Sequence, residues 1–198
     1  MYTINASIQG TAGLLQHAFG QIQLDTLQEN AKRQTGTPDY SLEWMTTMYV
    51  ARSGYLYQPA SHIEATLQRA ASGFKQKGKG GKTWKDAVKA YCYVMPDEIP
   101  HLLNGEPIPA PTADLIKNPT EHLSVSIMRV KVQRAAVARS RLLIAAGWQL
   151  SFSMQIQDDQ LRPDVVQSVL EEAGRAVGIG DYRPRYGRFL VTNFEVVS

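Results

Sequence analysis

The stretch WQLSFSMQI, Trp148 to Ile156, alternates apolar and polar residues without a break. This is the period of a strand that buries one face and turns the other to water or a partner. Downstream, Val166, Val169, Leu170, Ala173 and Val177 recur at helical spacing, with Pro163 near the start and Gly178 just past the end. The run from Arg188 to Val197 reads as another strand. A strand, a helix and a strand in this order predict a sheet with a helix packed on one face.

Working outward, Tyr2 to Ile8 puts Tyr2, Ile4, Ala6 and Ile8 on one face of a strand and Thr3, Asn5 and Ser7 on the other. His122 to Val132 is strand-like, but its apolar positions shift from Leu123, Val125 and Ile127 to Val130 and Val132, which predicts a bulge or bend. Ile63, Leu67, Ala70, Ala71 and Phe74 share a face of a helix over about 61–74. Tyr91 to Met95 is a short strand, and the proline-rich run from Pro96 to Pro119 reads as an extended connection. Setting aside insertions at about 20–57 and 75–120, the four main strands and two helices give βαββαβ. The expected fold class is therefore α+β, a ferredoxin-like antiparallel sheet with both helices on one face, in a single domain over 1–198.

A chain of 198 residues with 43% hydrophobic content can bury one sizeable core. No apolar run approaches the roughly 18 residues of a membrane span. Met1 to Gly10 alternates where a signal peptide would be continuously apolar. A cytoplasmic protein with no membrane partner is expected. The lone Cys92, inside an apolar run, reads as a buried small hydrophobe.

Net charge is only +3, but it is unevenly placed. Residues 1–68 hold Lys32, Arg33 and Arg52 against Asp25, Glu29, Asp39, Glu43 and Glu64. Residues 69–89 hold Arg69, Lys75, Lys77, Lys79, Lys82, Lys85 and Lys89 against Asp86 alone, and 129–141 add Arg129, Lys131, Arg134, Arg139 and Arg141 with no acid. Clustered cations at modest net charge mark either solvated faces or a polyanion site, where neutralising phosphates releases counterions.

Several motifs fail on inspection. Gly73 to Thr83 fails as a P-loop in both frames, with Gly80 where the Ser/Thr hydroxyl belongs in one and Gln76 where the leading glycine belongs in the other, and it follows a helix, so a flexible basic loop folding around a nucleic-acid backbone fits better. Gly178-Ile179-Gly180 follows a helix where a dinucleotide fingerprint needs a strand. His17, His62, His101 and His122 show no metal-ligand spacing, so no metal and no cofactor is expected. Asp158 and Asp159 read as turn and cap residues, Trp148 as core, and Trp84 as either core or a surface for base stacking.

The segment GIGDYRPRYGRF, Gly178 to Phe189, remains. Glycines let a backbone approach a ligand and expose N–H donors, arginines present planar forks to phosphate oxygens, and Tyr182 and Tyr186 offer stacking faces. A loop of this kind between a second helix and a last strand resembles the glycine-rich loop of the RAMP superfamily, the RNA-binding proteins of CRISPR effector complexes. Gly54, Pro59, Ala60, Ser61 and Arg69 in GYLYQPASHIEATLQRA, and Leu14 and Leu15 after the first strand, are similar to further segments of that family. Glu64 and Ala65 depart from its usual lysine and glycine. The resemblance implies a non-catalytic protein that binds single-stranded RNA, a guide RNA in the family, and that assembles along it with copies of itself or with CRISPR effector subunits. It implies Gly178, Gly180, Arg183, Arg185, Gly187 and Arg188 as the RNA-cradling loop, with Ser61 and Arg69 beside it. Composition adds Lys75, Lys77, Lys79 and Lys82 as a phosphate clamp. Two other readings stay open: a metal-independent RAMP-type RNA endonuclease using His17 or His62 as general acid or base, and a phage protein that engages a CRISPR effector complex.

Overall fold

The structure, a computed structural model, describes residues 1–18, 43–132 and 135–197. In chain order its elements are β1 (Tyr2–Gly10), β2 (Leu14–Leu15), the single turn α1 (Glu43–Thr46), β3 (Tyr57–Pro59), α2 (Ala60–Ala71), α3 (Lys85–Tyr91) and β4 (Cys92–Met95). Then follow β5 (Glu98–Pro100), β6 (Leu102–Leu103), β7 (Glu106–Pro107), β8 (Leu123–Val132), β9 (Ala135–Ile144), β10 (Gln149–Ile156), α4 (Pro163–Glu172) with a π turn over Ala173–Val177, and β11 (Phe189–Val197). The fold is mixed α and β, with antiparallel sheets.

The main sheet runs β11-β1-β10, and β10 carries β4 and β6 along its far edge. β1 lies between β10 and β11, in continuous register with β10 and with a register shift against β11 between Ser7 and Ile8. Ile4, Ala6 and Ile8 face the core opposite Met154, Phe152 and Leu150. The small Ala6 makes room for Phe152. On the same face, α2 lays down Ile63, Leu67 and Ala70, and α4 adds Val166, Val169 and Leu170. Full burial of each large side chain contributes about 1.5–3 kcal/mol. Trp148 is fully buried and seats against Gly10, where any Cβ would overlap its indole, and its Nε1 donates to the Ala12 carbonyl at 2.9 Å. The opposite face of the two central strands carries hydroxyls and amides only. Ser7 and Ser151 pair through their hydroxyls at 2.9 Å, and the Ser153 hydroxyl donates to the Asn5 side-chain amide oxygen Oδ1 at 2.7 Å.

Three expectations change. The second strand beside β10 is Cys92–Met95, not the His122–Val132 run. Four residues suffice there because Cys92 and Val94 are buried, and the Glu64 carboxylate accepts the outward Val94 N–H at 3.0 Å, capping the sheet edge. The longer run forms β8, which pairs with β9 and through it with β2 in a separate sheet. That register runs unbroken from Leu123↔Ile144 to Val132↔Ala135, so the expected bulge is absent. The apolar phase changes because the strand starts in the core at Leu123 and leaves it, with Ile127 already 60% exposed. Third, the proline-rich stretch is not merely extended: β5 pairs with β3, β6 with β10 and β7, and a 3-10 turn covers Ala113–Ile116. Most of the expected 20–57 insertion and Arg134 lie outside the described residues.

Cys92 and Trp148 are buried as expected, and burial pushes the Cys92 thiol up to about 12. Asp158 makes a turn, its Oδ1 accepting the Gln160 N–H at 2.9 Å.

Candidate nucleic-acid interface

The loop from Gly178 to Arg188 follows the π turn and precedes β11. Gly178, Gly180 and Gly187 all have φ near +75° (74°, 76° and 74°), a region open to glycine and unfavourable for other residues. Space constrains all three further: a Cβ on Gly178 would lie 2.9 Å from the Tyr186 carbonyl oxygen. A Cβ on Gly180 would lie 2.6 Å from the Leu15 carbonyl oxygen, and one on Gly187 would overlap the Ile179 carbonyl.

Several of the N–H groups here face inward. Ile179 N–H donates to Gly187 O at 2.9 Å, Asp181 N–H to Leu15 O at 2.9 Å, and Gly187 N–H to Gly13 O at 2.8 Å, while Thr11 N–H reaches Arg188 O at 2.9 Å. The expectation that the glycines free backbone donors for a ligand is thus not met at these positions. They instead let the loop pack onto itself and onto the segment after β1, with Ile179 fully buried as its anchor. What the loop presents outward is side chains: Arg183, Arg185 and Arg188 are exposed, as is Tyr182.

Thr66, buried on α2, ties the loop to the helix. Its hydroxyl donates to the Gly178 carbonyl at 3.0 Å and accepts from Arg183 Nη1 at 3.3 Å. Arg183 is thereby held along α2, close enough to His62, one turn back, that its charge adds to burial in lowering the His62 pKa. Ser61 is exposed in the first turn of the same helix. Arg69, exposed in its last turn, borders a cavity of about 380 Å³ with Phe74, Glu172, Arg175 and Val177. Thr66 and Arg183 thus join the arginine loop to the face of α2 that carries His62, while Ser61 lies in the first turn of that helix and Arg69 in its last.

On the loop's other flank, the side chain of Arg141 on β9 is buried, 7% exposed, and its Nε lies 2.6 Å from Asp181 Oδ2. The Nε–H points at His17 Nδ1, 3.2 Å away. The carboxylate therefore meets the guanidinium through charge more than through a hydrogen bond, and Arg141 Nη1 has no hydrogen-bond partner among the described residues. Burial first and Arg141 second lower the His17 pKa. Arg139 is likewise paired with Glu43. These two arginines of the 129–141 cluster are structural, which charge counting alone did not reveal.

The lysine run lies elsewhere. Lys75 bridges Thr83, Gln76 N–H donates to Lys82 O at 2.7 Å, and the exposed Lys79 donates to Gln160 Oε1 at 2.7 Å, just before α4. The glycine loop begins past the far end of α4 and the π turn, roughly 20 Å away at about 1.5 Å per residue. Lys75, Lys77, Lys79 and Lys82 are all exposed; Lys79 lies at the far end of α4 from the arginine loop, while Lys75 follows Phe74, which borders the same cavity as Arg69 and Val177. Trp84, half-buried between the two readings of it, packs against the core.

Sequence reasoning missed Thr66, Gln16, Tyr49 and Tyr57. Gln16 is 1% exposed, donates from Nε2 to the Tyr57 carbonyl at 3.0 Å and accepts the Tyr49 N–H on Oε1 at 2.9 Å. Tyr49 in turn sits between the two histidines singled out in the sequence: its hydroxyl donates to the His17 carbonyl at 3.1 Å, and its ring meets His62 edge-on with centroids 5.4 Å apart. A glutamine beside the Leu14-Leu15 pair was the available signal. Among the described residues no group of three or more His, Cys, Asp or Glu could hold a metal ion, and no helix is long and apolar enough to cross a membrane.

The chain matches no family model and no curated protein. Among solved structures it is similar to a chain of the Type III-B Cmr-beta complex bound to cognate target RNA, with a TM-score of 0.55 and 13% identity over 100% of this chain and 61% of that one. It is also similar to Cmr6 from Pyrococcus furiosus (TM-score 0.48, 11% identity, 95% of this chain and 97% of that one) and to a chain of a Type IV-B CRISPR complex (TM-score 0.48, 10% identity, 99% and 90%). This chain spans 61% of the length of the Cmr-beta chain, with which it shares its fold.

Proposed function

We propose that this protein is a non-catalytic, RAMP-like binder of single-stranded RNA, a subunit of a CRISPR-type ribonucleoprotein that acts in the cytoplasm. The observation that carries the reading is the arginine loop: a glycine-packed turn that holds the Ile179, Asp181 and Gly187 N–H groups inward, presents Arg183, Arg185 and Arg188 outward and is tied to α2 through Thr66. Guanidinium forks on a preorganised edge suit phosphate oxygens, since little ordering remains to be done on binding. The strand order β11-β1-β10-β4 with α2 and α4 on one face fits a ferredoxin-like split βαβ, and the likeness to the RNA-bound Cmr-beta chain supports the same reading. The central open face, bare of cations and aromatic rings, argues that RNA tracks the loop side and not the middle of the sheet. A guide RNA is the proposed ligand, with other effector subunits or further copies of this chain as partners.

The test is RNA affinity as a function of salt for the protein and for Arg183→Ala with Arg185→Ala. Losing two phosphate contacts should lower the slope of log K against log salt by about 1.4, at roughly 0.7 per contact for a single strand. Unchanged affinity and slope in the double variant would remove the loop from the interface. RNA co-purifying with the untreated protein, read from absorbance and sequencing, would identify the guide.

A further inference from the structure

We propose that Tyr49, Tyr57 and His62 form a ledge on which one unpaired RNA base stacks, with the phosphate beside that base met by Arg183. This rests on the RNA-binding reading and adds a base subsite to it.

Three rings gather at one point of the surface. Tyr49 and Tyr57 lie with centroids 5.6 Å apart, and Tyr49 and His62 with centroids 5.4 Å apart, both edge to face. All three are half-buried, so each keeps part of its surface in water. The cluster is braced from behind by two buried amides. Gln16 clamps the backbones of Tyr49 and Tyr57, the Tyr57 N–H donates to the Tyr49 carbonyl at 3.0 Å, and Gln58 Nε2 lies 2.6 Å from His62 Nδ1. Gln16 and Gln58 are each 1% exposed. With Nδ1 accepting from the amide, the neutral His62 ring carries its proton on Nε2. Burial first and Arg183 second lower the pKa of this imidazole, and burial raises that of both phenols, which are uncharged at pH 7 in any case.

Uncharged rings fixed in place, with a guanidinium next to them, are the combination that single-strand binders use. Bases stack on aromatic faces whatever their identity, and the cation takes the adjoining phosphate. Rings in a folded core need no polar brace, whereas rings that must stay put while partly exposed do. Arg183 reaches the ledge because Thr66 fixes it one helical turn from His62.

The experiment compares a labelled uridine decamer with an abasic ribose-phosphate decamer of equal length, binding to the full chain. Tyr57→Leu should weaken the uridine decamer about 5- to 150-fold and leave the abasic decamer unchanged, while Tyr57→Phe should bind both as the unaltered protein does. Arg183→Ala should weaken both. Equal losses on the two decamers in Tyr57→Leu, or none on either, would overturn the ledge while leaving RNA binding intact. If the unaltered protein binds neither decamer, the RNA-binding reading fails and takes the ledge with it.

Discussion

Arg141 on the β8-β9 hairpin and Asp181 in the arginine loop meet at 2.6 Å, joining two sheets through one charge contact. The guanidinium is buried, and Asp181 is 31% exposed, so the pair is open to water on the carboxylate side. Removing one partner of a buried pair strands the other, at about 3 kcal/mol or more. Asp181→Ala should therefore lower unfolding free energy by roughly that amount, and Arg141→Met, which removes the buried charge as well, by less. Urea unfolding of both variants checks this; a larger loss in Arg141→Met than in Asp181→Ala would contradict it.

Gly187→Ala places a methyl group against the Ile179 carbonyl at a positive φ. Overlap with backbone cannot be relieved by a side-chain rotation, and the conformation itself disfavours alanine by about 1–2 kcal/mol. A loss of 2 kcal/mol or more is expected by chemical denaturation. Gly105→Ala, also at positive φ but with nothing near its Cβ, is the control and should lose only the conformational part.

Thr66→Val keeps shape but removes the hydroxyl between Gly178 and Arg183. Stability should fall by about 1–3 kcal/mol, because the carbonyl is left unpaired. RNA affinity should move in the direction of Arg183→Ala. Full RNA affinity in a folded Thr66→Val protein would mean that Arg183 needs no such support.

The fully buried His101 stacks edge-on to Trp148 at 6.2 Å, and neither ring nitrogen has a hydrogen-bond partner among the described residues. Burial lowers its pKa to about 3. Because the folded value lies below the unfolded one, protons bind the unfolded chain preferentially. Stability is fully present above about pH 6.5 and declines by about 1.4 kcal/mol per pH unit from there toward pH 3. His17 and His62, also lowered, act in the same direction. The urea midpoint should be lower at pH 5 than at pH 7, and His101→Phe should flatten that difference; equal midpoints in the unaltered protein would refute the assignment.

The lysine patch gives a length-dependent outcome. Replacing Lys77 and Lys79, at the tip of the turn that Lys75 and Thr83 close, by alanine should leave binding of a trinucleotide unchanged, since Lys79 sits beside Gln160, roughly 20 Å from the arginine loop along α4. A thirty-nucleotide RNA should lose affinity and salt dependence. Equal losses for both lengths would place the lysines in the same contact as the loop.

Trp148–Ile156, Tyr2–Ile8 and the two long helices were legible because each buries one face over two turns or more, and periodicity records that directly. Cys92–Met95 was legible as a short strand, but its place beside β10 was not, because it depends on pairing across about sixty residues. Ala135–Ile144 hid behind alanines and alternating arginines whose partners, Glu43 and Asp181, are distant in sequence. The outward arginines of the loop were legible from composition. The inward work of its glycines was not, because it depends on Leu15, Gly13 and Ile179 arriving beside them. Tyr49, Tyr57 and Thr66 carried no local signal at all.

β1 is flanked on both sides by strands from the last fifty residues, β10 and β11. During synthesis at about 5–20 residues per second, this first strand emerges with its ladder groups unmatched and waits several seconds or longer for its neighbours. Such sequence-distant closure makes for slow folding and a period of exposed, association-prone backbone. A chaperone that shields the emerging chain should therefore raise the yield of folded protein, whereas slower translation, which lengthens the wait of β1 for its neighbours, should lower it.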